Sequence, residues 1–129
     1  MDAKYKTILA IGPALRRALL DDPEFAALTD RVIPVVSEVD QKLPFVTFFR
    51  SSVTEEQVKG TAGPRKAVMQ FQVFSSSWSS GLEIAEVIVD RLDGYRDDTV
   101  RRCFFTGASE DFDYNVPAYV QVLTFETSI

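Results

Sequence analysis

Lys66-Ala67-Val68-Met69-Gln70-Phe71-Gln72-Val73-Phe74-Ser75-Ser76 alternates, with Ala67, Met69, Phe71 and Val73 on one side and Gln70 and Gln72 on the other. A period of two marks a strand with one buried face. The chain then changes period. Leu82, Ala85, Ile88, Val89 and Leu92 recur at spacings of three and four, the apolar stripe of a helix that packs by one side. Ser80-Gly81-Leu82-Glu83 fits a capping box in which Ser80 caps and Glu83 reaches back. Asp93-Gly94 closes the helix, glycine suiting the left-handed position beyond the last turn.

Upstream, Phe45–Val53 reads as a second strand, rich in aromatic and β-branched residues after Pro44. Between the two strands, Glu55–Arg65 is polar and holds Gly60, Gly63 and Pro64. This predicts a mobile hairpin loop of 11 residues, where about two to five is usual. Such excess length asks for a partner. Arg31–Val36 is a short strand that Pro34 confines to a sheet edge.

Nearer the start, Ile8, Ile11, Leu15, Ala18 and Leu19 form one helical face, interrupted by Gly12-Pro13. Either the helix kinks there, or a looser turn ends and Pro13 opens the helix. Asp22 and Pro23 suit the cap and first position of a second, short helix that points Phe25 and Leu28 inward. Downstream, two more strands fall at Thr99–Ala108 and Ala118–Thr127, joined by an acidic turn, Ser109–Pro117. Short connections between consecutive strands imply antiparallel pairing. The fold class is α+β: an antiparallel sheet of four to five strands with two main helices, near 5–20 and 80–92, packed on one face. No repeat or linker divides residues 1–129, so they form a single domain.

Composition narrows the chemistry. The chain has 129 residues, a net charge of −5, no histidine and one cysteine, and 46% of it is apolar, enough to bury a core. Without histidine there is no Ser-His-Asp triad, Cys-His dyad or His-bound zinc. One cysteine makes no internal disulfide, and Cys103 reads as a buried free thiol in a strand. No run is long enough to span a membrane, and Ile8–Ile11 is too short for a signal sequence, so the expected site of synthesis and folding is a reducing cytoplasm.

The remaining candidates have plainer readings. Glu110, Asp111 and Asp113 lack the Gly and terminal Glu of a calcium loop and read as a solvated acidic turn. Glu55 and Glu56 are neighbours that do not converge on one substrate atom. Lys59, Arg65 and Lys66 lie between two strands, whereas a phosphate loop joins a strand to a helix. Trp78 reads as packing over the edge of the core, and its serine neighbours have no activating base. Arg101 and Arg102 alternate across a strand, so at least one lies on an exposed surface. No catalytic, cofactor-binding or metal-binding set emerges. The expected contact residues toward other subunits or partners are Glu55, Glu56, Lys59, Arg65, Lys66, Arg101 and Arg102.

The order of these segments resembles the small tail-component proteins of long-tailed bacteriophages and prophages, which complete or terminate the tail or join it to the head. The resemblance is carried by Ile11-Gly12-Pro13-Ala14-Leu15-Arg16-Arg17-Ala18-Leu19-Leu20, Ala27-Leu28-Thr29-Asp30-Arg31-Val32-Ile33-Pro34 and Leu43-Pro44-Phe45-Val46-Thr47-Phe48. It continues through Met69–Phe74 with the serine run and the Ala85–Leu92 helix, and ends in Tyr119–Phe125. It implies a structural, non-catalytic protein of the virion tail, assembled in the bacterial host cytoplasm. It also implies a homo-oligomer, often a hexameric ring, that caps the tail tube or seals its joint with the head. The implied partners are the tail tube protein, the head-tail connector proteins and DNA passing the lumen without sequence-specific binding. No cofactor is implied. The alternative expectation is a cytosolic α+β adaptor or ligand-binding module without catalysis.

Overall fold

The computed structural model describes residues 8–34, 42–58 and 61–129, of which 55–58 and 61–64 are described as backbone only. A 3-10 turn, Ile8–Ala10, leads into α1, Ile11–Leu20, and Pro23–Ala26 forms α2. Strands β1 (Val32–Pro34), β2 (Phe45–Val58) and β3 (Thr61–Ser75) follow, then α3 (Trp78–Leu92), β4 (Arg102–Asp113) and β5 (Ala118–Ser128). The strands make one sheet in the order β1-β2-β3-β5-β4, so the fold is α+β as the residue patterns predict.

The N-terminal ambiguity resolves toward the looser turn. The 3-10 turn passes straight into α1, and Pro13 is the third residue of that helix. There its missing N–H has no carbonyl to meet. Asp22 caps α2 with its carboxylate, accepting from the Phe25 N–H at 3.4 Å, and Pro23 follows at the first position.

Ala67, Met69, Phe71 and Val73 lie on the helical face of β3, each at most 2% exposed. They pack with Ile11, Leu15 and Leu19 of α1 and Ile84, Ile88 and Leu92 of α3 in the main core. The Arg91 Nε donates to the Ala18 carbonyl at 3.1 Å and ties the two helices together. The other face of the sheet has a smaller cluster of Phe45, Phe74, Ala118 and Val120. The Phe45 and Phe74 rings stack there at 4.7 Å. Their register partners explain the division, since directly paired residues share a face.

The structure changes four sequence expectations. First, β1 pairs with β2 in parallel, so the sheet is mixed; the other three strand pairs are antiparallel. A three-residue strand ending at Pro34 has no alternation from which to read a direction. Second, the segment expected as a hairpin loop is strand over 55–58 and 61–65, with 59 and 60 outside the described residues. Glu55 pairs with Arg65, Gln57 with Ala62 and Val58 with Thr61, with bulges between Arg50 and Ser52 and between Glu55 and Gln57. Third, Ser109–Asp113 belongs to β4, which leaves only 114–117 for the turn. Fourth, α3 begins three residues earlier than the capping box suggests. Ser77 is the cap, its hydroxyl accepting from the Ser80 N–H at 3.2 Å. At the other end Gly94 takes φ +82°, the expected left-handed position.

Candidate functional site

Strand β5 pairs with β3 only as far as Lys66, opposite Ser128. Beyond that row, the described residues 55–58 of β2 and 61–65 of β3 pair only with each other. They form a two-stranded arm that leaves the end of the sheet. The strong polarity of this stretch fits, because among the described residues no sheet layer covers either face of the arm.

The base of the arm is basic. Ser128 pairs with Lys66 on one side and with Arg102 on the other, so the three share one cross-strand row. The Arg101 N–H donates to the Ser128 carbonyl at 2.8 Å. Arg65, Lys66, Arg101 and Arg102, separated by 36 residues in the sequence, thus meet at one end of the sheet. Arg65, Arg101 and Arg102 are exposed, and the Lys66 Nζ lies 3.7 Å from the Glu126 carboxylate. Among the other expected contact residues, Glu55 and Glu56 lie on the arm's backbone in β2. Their side chains, and Lys59 entirely, fall outside the described residues.

An Asp97 turn sets the entry to β4. The Asp97 carboxylate accepts from the Thr99 N–H at 2.7 Å and the Val100 N–H at 2.6 Å. Burial works to raise its pKa. The N–H bonds from Val100 and Thr99 and the Tyr95 hydroxyl outweigh burial and hold the carboxyl below its usual 3.8. Val100 is fully buried behind this turn, so Arg101 and Arg102 emerge from a fixed backbone. Cys103 follows, a free and buried thiol as expected, whose pKa burial and nearby Asp93 push up to about 12.

The acidic residues Glu110, Asp111 and Asp113 sit toward the far end of β4, about 25–35 Å from Arg102 at the rise of an extended strand. Glu110 accepts from the Trp78 indole N–H and from Gln121 Nε2, the latter at 2.6 Å. Trp78 is half exposed and rests on this carboxylate at the molecule's edge. Asp113 accepts from the N–H groups of Asn115 and Val116 and closes the β4–β5 turn. These carboxylates thus bind protein donors. Among the described residues no group of three or more Cys, Asp or Glu could hold a metal ion. No described helix is long and apolar enough to cross a membrane.

Two features escape the sequence. The arm's strands leave no hydrophobic period. Phe104 is 49% exposed although it stands in a strand otherwise readable as core. The neighbouring pair Arg101-Arg102 is the one signal that this strand begins at a solvated surface.

The sequence pattern of the family described as tail completion protein gp17 matches residues 13–129. No curated protein sequence matches the chain. The fold is similar to a chain in a solved structure titled "Virion of native gene transfer agent (GTA) particle". The two are 17% identical, with a TM-score of 0.78, over 95% of this chain and 98% of that one.

Proposed function

This chain belongs to the tail completion protein gp17 family, and from that premise we propose that its copies close into a ring that caps the tail tube or joins it to the head. The family makes it a structural component of a phage-type virion tail. The observation that supports the finer reading is the concentration of features at one end of the sheet. A polar two-stranded arm leaves the body there, with Arg65, Lys66, Arg101 and Arg102 around its base.

Physical chemistry gives this arrangement a use. A lone two-stranded hairpin is marginal in water. Resting its faces on a neighbouring subunit supplies the missing layer and excludes water from its backbone bonds. Glu55, Glu56 and Lys59 would travel with the arm to that neighbour, while the four cations at its base meet the neighbour's carboxylates. In this reading the tail tube and head-tail connector proteins bind the rims of the ring. The net charge of −5 disfavours tight phosphate binding, so DNA passes the lumen without sequence-specific contacts. The ring works by shape and association, with no turnover and no cofactor.

The test is deletion of the gene, complemented by the full chain or by a chain lacking residues 56–64. The expected deletion phenotype is tails of abnormal length, or tails not joined to filled heads. The full chain should restore normal particles and the armless chain should not. Normal particles from the deletion strain would overturn the proposal. Normal particles from the armless chain would remove the role given to the arm.

A further inference from the structure

We propose that Phe104 of one copy, with the arginines around it, seats in the apolar groove between α3 and the sheet of the next copy. This contact rests on the ring reading and names the surfaces that would make it.

Phe104 is 49% exposed, paired with Glu126 across the sheet. Its flanking residues, Cys103 and Phe105, face the helices and the core, so its own ring stands on the opposite face. Arg96, Arg101 and Arg102 share a surface cavity of about 450 Å³ with it. All three arginines are exposed, and none has an ion-pair partner among the described residues. The result is an exposed aromatic knob with Arg102 on its own face and Arg96 and Arg101 at the same surface cavity, in a chain of net charge −5.

The groove has the inverse character. Leu82, Ala85 and Val89 of α3 face Phe105, Ala108 and Leu123 of the sheet across about 450 Å³. Glu86 and Asp90 stand at its rim, exposed and without ion-pair partners among the described residues. Helices α1 and α2 do not line it, so among the described residues its apolar floor is open.

Knob and groove match in polarity and in charge, yet one molecule cannot join them. Phe104 and Phe105 are successive residues of one strand, and their side chains leave by opposite faces. Phe105 floors the groove, so Phe104 points away from it. A second copy is the occupant that carries the matching surface. The arginines alone would also suit phosphate. Phe104 beside them and the carboxylates at the groove's rim favour a protein surface instead. The two patches differ, so the contact is heterologous: each copy offers one knob and one groove, as a closed ring requires. A central aromatic ring flanked by arginine is the usual make-up of an interface anchor, and its loss should weaken association by about tenfold or more.

The test uses the full chain in three forms. One removes the knob (Phe104→Ala with Arg101→Glu). One blocks the groove (Ala108→Arg with Asp90→Lys). The third is Phe104→Ala alone, a milder change at an exposed site. Sedimentation is followed at low salt up to millimolar concentration, with circular dichroism to verify folding. The full chain should associate, less so as salt rises. Each variant alone should lose association by about tenfold or more. An equal mixture of the first two should stop at a discrete dimer, because each mixed pair keeps one intact contact. A full chain that stays monomeric, variants that associate like it, or a mixture that stays monomeric would overturn the contact. Imaging of particles carrying these variants separates the two proposals. Intact rings built from both variants would discard this contact and leave the ring, whereas particles of the unmodified chain without any ring would discard both.

Discussion

Ser75 and Gly81 show how closely one hydroxyl governs the entry to α3. The Ser75 hydroxyl is buried and donates to the Ser77 carbonyl at 2.7 Å. A methyl group at Gly81 would stand 2.4 Å from that oxygen. Gly81→Ala should therefore displace the hydroxyl and strand it without a partner, a cost of about 1–3 kcal/mol. The gain in helix propensity is about 1 kcal/mol. The net effect is destabilisation, and urea melts should show its sign reversing when Ser75→Ala removes the hydroxyl first. Asp97 and Cys103 shape the pH limits of stability, beside Tyr95, whose pKa burial and the hydrogen bond to Asp97 raise. Asp97 titrates below its unfolded value when folded. Its contribution is present above that value and is lost as pH falls through the folded pKa, so Asp97→Asn should flatten the acid limb below about pH 4. Cys103 moves the other way, from 9.0 to about 12. Its contribution is whole below pH 9 and falls as pH rises toward 12, so Cys103→Ala should flatten the alkaline limb between those values. Melts of each variant beside the parent, across pH, check both signs.

At the scale of elements, legibility follows burial. Strand β3 and helix α3 are readable because each has one buried side, which imprints a period of two on 67–73 and of 3.6 on 82–92. Phe71→Ala, at 0% exposure in the centre of that core, should cost about 3–5 kcal/mol in the same melts. The start of α3 is blurred because serine occupies 75, 76, 77, 79 and 80, each able to cap. Backbone geometry selects Ser77, and Ser77→Ala should cost about 1 kcal/mol while Ser80→Ala costs less. The arm is illegible for the opposite reason. Past the Lys66 row its strands have no third partner among the described residues, and neither face takes an apolar pattern. Its pairing is local, and removing 56–64 should change the stability of the body by less than about 1 kcal/mol. A larger loss in denaturant titration would mean that the arm also braces the sheet.

For the whole molecule, the family match over residues 13–129 gives the structural role in a phage-type tail that the resemblance of the segment order implies. What sequence cannot display is convergence across long separations. Lys66 and Arg102 lie far apart in the chain and in one row of the sheet, because β5 runs between their strands. Likewise, the opposite exits of Phe104 and Phe105 make one residue a knob and the next a groove floor. Both facts belong to topology, and both become useful only when a second copy stands beside the first. In the proposed reading this chain forms a ring at one end of a phage-type tail. Electron cryomicroscopy of the tail-to-head region of the particle that carries it tests this most directly. The expected image is a closed ring of copies of this chain at the head-proximal end of the tail tube, each arm resting on a neighbouring subunit. Copies repeated along the whole tube, or none in the tail at all, would contradict it.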